Sequence, residues 1–175
     1  MARTNTTAAK AEAPAANAEK KTPMKPKDVD VHQYIPVLNG FNGTLCYVSQ
    51  RDGETFIWEH FGDEQDIELQ ELKNAKSSGK AFFQNNWFLF PEEYMWVIDY
   101  LGMRQFYKNA LNLEQFDELL DKTPEEIRET VSAMPDGQKA SLRYRVLELL
   151  ANDGIDSRKV IAALEEALGV QLVEK

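Results

Sequence analysis

The sequence predicts an α+β protein in which an N-terminal β-hairpin or small antiparallel sheet packs on a C-terminal group of helices. Strand-like segments flank an Asp-Gly turn early in the chain, helix-capping signals recur in the second half, and a basic tail precedes both. The chain of 175 residues is long enough for one domain plus an arm. We therefore expect a low-complexity basic arm over residues 1–27 and a single acidic domain over residues 28–175. Within that domain the hairpin should lie at about 43–61 and the helical part at about 91–169.

The arm and the domain carry opposite charge. Residues 1–27 contain six basic and two acidic residues, a net charge of +4, whereas the rest of the chain contains 14 basic and 27 acidic residues, a net charge of −13. The arm holds three of the seven prolines and, besides the initiator, a single large apolar residue, Met24. It cannot bury enough surface to fold alone, so it is either a solvated tail or an arm that orders on a partner. In the second case the partner-binding residues are Lys20, Lys21, Lys25 and Lys27.

The hairpin prediction rests on Asp52-Gly53, which lies between segments rich in β-branched and aromatic residues. The strands should be Thr44–Ser49 and Thr55–Phe61. If Asp52 and Gly53 alone form the loop, Tyr47 faces Trp58, Leu45 faces His60 and Ser49 faces Phe56, with Cys46 opposite Glu59 on the other side. This register separates Cys46 from His60, which argues against a catalytic Cys–His pair and favours a packing role for Cys46.

A helix is expected to begin at Gly62-Asp63, because Asp63, Glu64 and Asp66 would place negative charge in its first turn. Leu69, Leu72 and Ala75 would form its buried face, and Ser77-Ser78-Gly79 would end it. Ile67 would then point to the opposite, acidic side. It is either an ordinary exposed residue or an anchor for a basic partner.

The aromatic stretch from Ala81 to Phe90 fits a third strand, although periodicity leaves a buried helix or an irregular segment open. We expect it to supply core or subunit interface. Single-stranded nucleic acid would need a basic groove around such rings, whereas Glu92 and Glu93 follow this stretch.

Five helices are expected in the second half, each from an apolar pattern at helical spacing with end signals. They cover Pro91–Leu101 before Gly102, Leu113–Leu120, a segment opened by Thr123-Pro124-Glu125-Glu126, a segment opened by Asp136-Gly137, and a segment capped by Asp156 and ended by Gly169.

Three chemical interpretations compete with a purely structural one. The segment Asn152–Asp156 is part of a calcium-loop pattern, but Leu149 and Ala151 would occupy ligand positions, which excludes an EF-hand. The last two helices could form a helix-turn-helix, with phosphate contacts from Arg143, Arg145, Arg158 and Lys159, but the reading helix also carries Glu165 and Glu166. No Asp or Glu lies in a catalytic signature, so we predict no enzyme, no cofactor and no metal site.

The lone Cys46 excludes an internal disulfide framework, and no apolar stretch approaches the roughly 20 residues that span a bilayer. The N-terminus lacks the apolar region of a secretory signal. The sequence thus favours synthesis in a reducing cytoplasm, without membrane association.

Three segments resemble uncharacterised structural proteins of tailed bacteriophages. They are Asn39–Tyr47, Gly62–Gln65 with Leu69–Leu72, and Phe82–Trp87, within a resemblance that covers roughly residues 35–170. It implies a virion component associated with the capsid, neck or tail, present in multiple copies beside other virion proteins. It supplies no functional residues. The expected function is therefore non-catalytic docking through the acidic body and the arm; the alternative is a regulatory or nucleic-acid-binding helix-turn-helix protein.

Overall fold

The structure, a computed structural model, describes residues 29–152 and 154–173, apart from the side chain of Asp117. It confirms the α+β class: two small antiparallel sheets precede a set of helices. The strands are β1 (Tyr34–Asn39), β2 (Leu45–Val48), β3 (Thr55–Trp58), β4 (Glu64–Glu68) and β5 (Phe88–Leu89). The helices are α1 (Leu69–Ser78), α2 (Lys80–Gln84), α3 (Trp96–Leu101), α4 (Arg104–Tyr107), α5 (Leu113–Leu119), α6 (Pro124–Ala133), α7 (Asp136–Ala151) and α8 (Arg158–Leu168), with a 3₁₀ turn at Glu92–Tyr94.

The first sheet has the strand order β4-β1-β5, and the second is the β2-β3 hairpin. The hairpin exists, but its predicted register is wrong by two residues: Tyr47 pairs with Phe56, and Leu45 pairs with Trp58. The Ser49 N–H donates to the Glu54 carbonyl at 2.8 Å, which leaves a loop of four residues instead of two. Within this loop only Gly53 has a positive φ, +80°, so the two-residue turn with two left-handed residues does not form.

The shift of two residues preserves the faces of the hairpin. Tyr47, Phe56 and Trp58 still share one side of the ribbon, and all three are buried. Cys46, by contrast, is exposed on the outer side, so the expectation that it packs is wrong.

The predicted helix at Asp63 begins six residues later, because residues 64–68 pair with β1 as strand β4. The Asp63 carboxylate accepts hydrogen bonds from the N–H groups of Glu59 and His60, which precede it, and so closes a turn instead of capping a helix. The Gln33 and Val31 carbonyls accept from the N–H groups of Leu69 and Gln70 and satisfy the start of α1. The buried face of Leu69, Leu72 and Ala75 is confirmed.

Within the aromatic stretch only Phe88–Leu89 is a strand, and most of the preceding residues form α2. Its role in the core is confirmed, because Phe83, Phe88 and Phe90 are buried. The turn at Asn85-Asn86 has Asn86 at φ +54° and inserts between other elements. A side chain at Gly40 or Gly137 would meet its backbone: an added Cβ would lie 2.3 Å from the Asn86 oxygen or 2.4 Å from the Asn85 Cα, respectively.

The helix expected over Pro91–Leu101 is instead a 3₁₀ turn followed by the shorter α3, whereas the later helices follow the predicted end signals closely. Thr123 and Glu126 form the expected capping box at α6, and Gly102 and Gly169 end α3 and α8 with left-handed backbones. A further box, Asn112 with Gln115, opens α5. The N-cap of α8 is Ser157 instead of Asp156, since the Ser157 side chain accepts from the Val160 N–H.

Two groups of buried apolar side chains fill the described structure. The sheet cluster joins the strands with α1–α4, and the helix cluster joins α5–α8. The Phe61 ring, which follows β3 in the chain, packs against the helix cluster by an edge contact with Phe116. Within the helical part, the buried Gln138 amide pairs with the N–H and carbonyl of Leu111 at 2.8 and 2.7 Å. The Phe61 contact thus holds the end of the hairpin against the helices.

Candidate interaction surface

One face of the β4-β1 pair is turned away from the core. The register places Tyr34, Pro36 and Leu38 of β1 directly beside Glu68, Asp66 and Glu64 of β4. Paired residues of antiparallel strands project to the same side, so these six side chains share one face, here called the outer sheet face. The intervening pair Ile35 and Ile67 points inward and is fully buried. The outer sheet face is therefore an apolar row next to an acidic row.

The apolar row is most open at the start of β1. Tyr34 is 68% exposed, the highest value among the exposed large apolar residues of the described chain. Pro36 and Leu38 are partly covered. At the far end Leu38 pairs with Leu89, which is buried against Gly40. The apolar row is thus exposed to solvent at Tyr34 and covered at its other end, beside Leu89.

The acidic row differs in charge from one end to the other. At the Tyr34 end, Glu68 lies 2.7 Å from His32 Nδ1 and 3.3 Å from Arg51. The hydrogen bond with His32, and to a smaller extent the one from Arg51, lowers the pKa of the Glu68 carboxyl. Glu64 and Asp66 are exposed, and no ion pair within the described residues involves them. Uncompensated negative charge is therefore concentrated at Asp66 and Glu64.

A buried carboxylate lies beneath the Glu68 end. Glu71 on α1 accepts a hydrogen bond of 2.6 Å from the Tyr47 hydroxyl and one of 3.1 Å from the Asn74 amide, and Arg51 Nε lies 3.8 Å away. Burial, followed by the bond to Glu71, raises the pKa of Tyr47, so the hydroxyl stays protonated and donates. Both residues are 2% exposed. A substrate cannot reach this pair in the described conformation, and its role is to fasten α1 to the hairpin.

A small cavity lies near the closed end of the outer sheet face, lined by Leu89, Phe90, Met95, Tyr107 and residues 110–112. Its volume of about 10 Å³ holds roughly one water molecule, whereas pockets for small ligands are typically about 300–1,000 Å³. Burial raises the pKa of Tyr107, whose hydroxyl donates to the Phe88 carbonyl at 2.6 Å. Tyr107 is thus a structural donor at this cavity.

The structure corrects the prediction that Ile67 is an exposed anchor for a partner. It lies in β4, not on a helix, and is fully buried opposite Ile35. The prediction placed it by helical periodicity, but strand alternation turns it toward the core while Asp66 and Glu68 face outward. It is therefore not available as a surface anchor. Lys20, Lys21, Lys25 and Lys27 lie outside the described residues.

The helix-turn-helix residues are distributed over α7 and α8. Arg143, Arg158 and Lys159 are exposed. Arg145 is partly covered, pairs with Glu148 at 3.3 Å and lies 5.7 Å from the ring of Phe61. Helix α8 is held to α6 by an ion pair of 2.5 Å between Glu166 and Arg128. Arg145 is thus committed to contacts within the fold.

Sequence reasoning missed the six residues of the outer sheet face. The available signal was the alternation of Glu64, Asp66 and Glu68 with Gln65 and Ile67, together with the neighbouring strand-like segment Tyr34–Asn39. The acidic residues were assigned to a first helical turn, where they are equally common. Nothing local reveals that the two segments pair.

The described part of the chain brings together no group of three or more His, Cys, Asp or Glu side chains suited to a metal ion. Within the same residues, no helix has both the length and the apolar character required to cross a bilayer. No protein-family model, curated protein or solved structure matches this chain.

Proposed function

We propose that the protein is a non-catalytic assembly protein whose outer sheet face docks a basic, extended segment of a neighbouring protein. The observation that supports this most directly is the apolar row of Tyr34, Pro36 and Leu38 beside the acidic row of β4. Exposed apolar area supplies binding free energy, and the adjacent carboxylates select a basic partner and speed its encounter.

The particle we propose is a tailed-bacteriophage virion, made in the host cytoplasm, in which the chain is a capsid-associated, neck or tail component. The support for this step is the resemblance of residues 39–47, 62–65, 69–72 and 82–87 to virion structural proteins. The opposite charges of arm and body fit a subunit that contacts neighbours in two ways, through an acidic surface and through a basic extension.

Charge reversal on the outer sheet face tests the proposal. Glu64→Lys combined with Asp66→Lys should reduce the copy number of the protein in purified particles, measured by quantitative mass spectrometry. The matched control is Glu92→Lys combined with Glu93→Lys, which changes the net charge equally at two exposed residues of the 3₁₀ turn. Equal incorporation of both variants would contradict the proposal, and so would absence of the parent from particles.

DNA binding is measured on the same samples. The arginine pair Arg143→Ala with Arg158→Ala should leave incorporation unchanged under the assembly proposal. Salt-sensitive binding of duplex DNA by the parent that is lost with the arginine pair would instead support the helix-turn-helix function.

A further inference from the structure

We propose that the segment docked on the outer sheet face is Lys20–Lys27 of a second copy of this chain. This inference deepens the proposed function and rests on it, because it names the occupant of the same surface. The occupant would be a short basic peptide with apolar residues between its lysines, bound in extended form on the face of the sheet.

The composition of the segment matches both rows of the face. Its sequence is Lys-Lys-Thr-Pro-Met-Lys-Pro-Lys, with four lysines and no acidic residue. Pro23 and Met24 could cover the exposed ring of Tyr34 and the adjoining Pro36, while the lysine ammonium groups face the acidic row. The occupant therefore offers apolar contact and opposite charge together.

The spacing of the charges also matches. Glu64 and Asp66 are two positions apart on a β-strand, roughly 6.5 Å along the chain. Lys25 and Lys27 are separated by Pro26, and proline favours an extended or polyproline II backbone at and before it, in which two residues rise by roughly 6 Å. Each of these lysines can thus face one carboxylate.

Docking on the face fits better than addition of a further strand. Pro23 and Pro26 have no backbone N–H, so they cannot supply the regular hydrogen bonds of a sheet ladder. The outer sheet face requires only side-chain contacts.

A second copy fits this site better than the arm of the same chain. Residues 29–33 lead into β1 at the Glu68 end, where the Val31 and Gln33 carbonyls bond to α1. That end is already paired with His32 and Arg51, whereas the carboxylates without a described ion pair, Asp66 and Glu64, lie progressively farther along β4. Only two positions separate Lys27 from Val29, the first described residue, so Lys25 and Lys27 of the same chain have few residues with which to reach Asp66 and Glu64. The arm of a neighbour can approach the charged end directly.

Reciprocal charge reversal in the full-length chain tests the inference. The face variant carries Glu64→Lys and Asp66→Lys, and the arm variant carries Lys25→Glu and Lys27→Glu. Association is measured by sedimentation velocity over a range of protein concentrations at low salt. We expect the parent to self-associate. Each variant alone should associate at least about tenfold more weakly than the parent, because attractive charge pairs become repulsive.

The decisive sample is an equimolar mixture of the two variants. In it the basic arm of the face variant meets the acidic face of the arm variant, and the acidic arm meets the lysine-bearing face. Association should therefore return to the level of the parent. The control Glu92→Lys with Glu93→Lys should associate like the parent, and melting curves establish that every variant is folded. If the face variant fails to fold, Glu64→Gln with Asp66→Asn replaces it and should weaken association of the parent arm.

A parent that stays monomeric at all concentrations would overturn the inference, and so would a mixture that does not recover association. If the arm docks on the body of its own chain, the parent stays monomeric, so this alternative gives the first result. If the parent is monomeric yet the face variant still loses incorporation into particles, the proposed function stands and the occupant is a different basic protein. If incorporation is also unaffected, both proposals fail.

Discussion

Glu71 is the residue whose surroundings depart most from what its type leads one to expect. A glutamate that is 2% exposed must have its charge compensated, and the Tyr47 hydroxyl, the Asn74 amide and Arg51 do so. The three partners come from the hairpin and from α1 itself, so the carboxylate connects elements that are distant in sequence. Glu71 thus belongs to the interior, although glutamate is usually a surface residue.

Replacing Glu71 by Ala should lower the free energy of unfolding by about 2 kcal/mol or more, because the buried Tyr47 hydroxyl and Asn74 amide lose their acceptor. Tyr47→Phe, which removes only a donor, should cost less. Urea unfolding measures both. Glu64→Ala, at an exposed position, is the control and should change stability by less than about 0.5 kcal/mol. Equal unfolding midpoints for Glu71→Ala and Glu64→Ala would show that the buried bonds contribute nothing.

Two glycines should respond differently to alanine. At Gly137 the added Cβ would lie 2.4 Å from the backbone of Asn85, which must then move, so Gly137→Ala should destabilise the protein by about 1–3 kcal/mol. At Gly53 there is open space and the only cost is the positive φ, roughly 1 kcal/mol for alanine and more for valine. Chemical denaturation of the two alanine variants and of Gly53→Asn, which tolerates this backbone, provides the comparison. A destabilised Gly53→Asn variant together with a neutral Gly137→Ala variant would contradict the steric cost expected at Gly137 and the purely conformational cost expected at Gly53.

Strand β4 shows at the scale of an element how tertiary pairing overrides a local signal. The segment Asp63–Glu68 has the acidic residues of a helical first turn, yet β1 offers it a hydrogen-bonding partner and its Ile67 enters the core. The helix starts only where pairing with β1 ends.

This assignment predicts opposite effects for two neighbouring positions. Ile67→Ala should lower the free energy of unfolding by about 2–5 kcal/mol, because it leaves a cavity in the sheet cluster. Tyr34→Ala removes an exposed ring and should change stability little, yet it should weaken association through the outer sheet face. Denaturant unfolding and sedimentation velocity measure the two effects. Stability loss at Tyr34 without loss at Ile67 would mean that the two faces of the sheet are exchanged.

The capping box of α6 gives a prediction about pH. Two hydrogen bonds from Thr123 lower the pKa of the Glu126 carboxyl. The bond from the Thr123 hydroxyl has the larger effect, and the bond from the Thr123 N–H the smaller one. Because the folded-state pKa lies below the unfolded value, the charged form stabilises the fold above the unfolded pKa, and this contribution is lost as pH falls through the folded pKa. The difference in unfolding free energy between the parent and Glu126→Gln should therefore be largest near neutral pH and shrink below about pH 4.

Urea unfolding of both proteins at several pH values measures this difference. A difference that stays constant from pH 7 to pH 3 would contradict the role of charge in the box. As an independent check of the cap, Thr123→Ala should cost about 1 kcal/mol at neutral pH.

At the scale of the whole molecule, the sheet and helix clusters are joined by a few close contacts. The Asn85-Asn86 turn lies against Gly40 and against Gly137 of α7, and the Phe61 ring contacts the Phe116 ring of α5. All described buried apolar side chains of the two clusters lie within residues 35–164. The arm has, besides the initiator, Met24 as its one large apolar residue, so its composition supplies charge and little apolar surface for a core.

Deleting residues 1–27 should therefore leave the melting temperature close to that of the full chain, while it abolishes self-association and incorporation into particles. Calorimetry compares the melting temperatures, and sedimentation velocity compares association. A drop in melting temperature as large as that caused by Ile67→Ala would show that the arm is an integral part of the fold.

The sequence by itself determined the features that depend on neighbours along the chain. The capping box at Thr123, the helix ends at Gly102 and Gly169 and the buried stripe of Leu69 and Leu72 were all predicted and are confirmed. A cap or a helical stripe involves residues a few positions apart, so local physics is sufficient to define it.

Only the tertiary structure decided the pairing of β1 with β4, the four-residue hairpin loop and the outward direction of the carboxylates on β4. The paired residues of β1 and β4 lie about 30 positions apart in the chain, and the β4 segment is compatible with either strand or helix. Which state they adopt depends on the free energy gained by burying Ile35 against Ile67, a contact that no local pattern contains. That contact moved Ile67 from the expected surface into the core and placed Glu64 and Asp66 on the surface that we propose for docking.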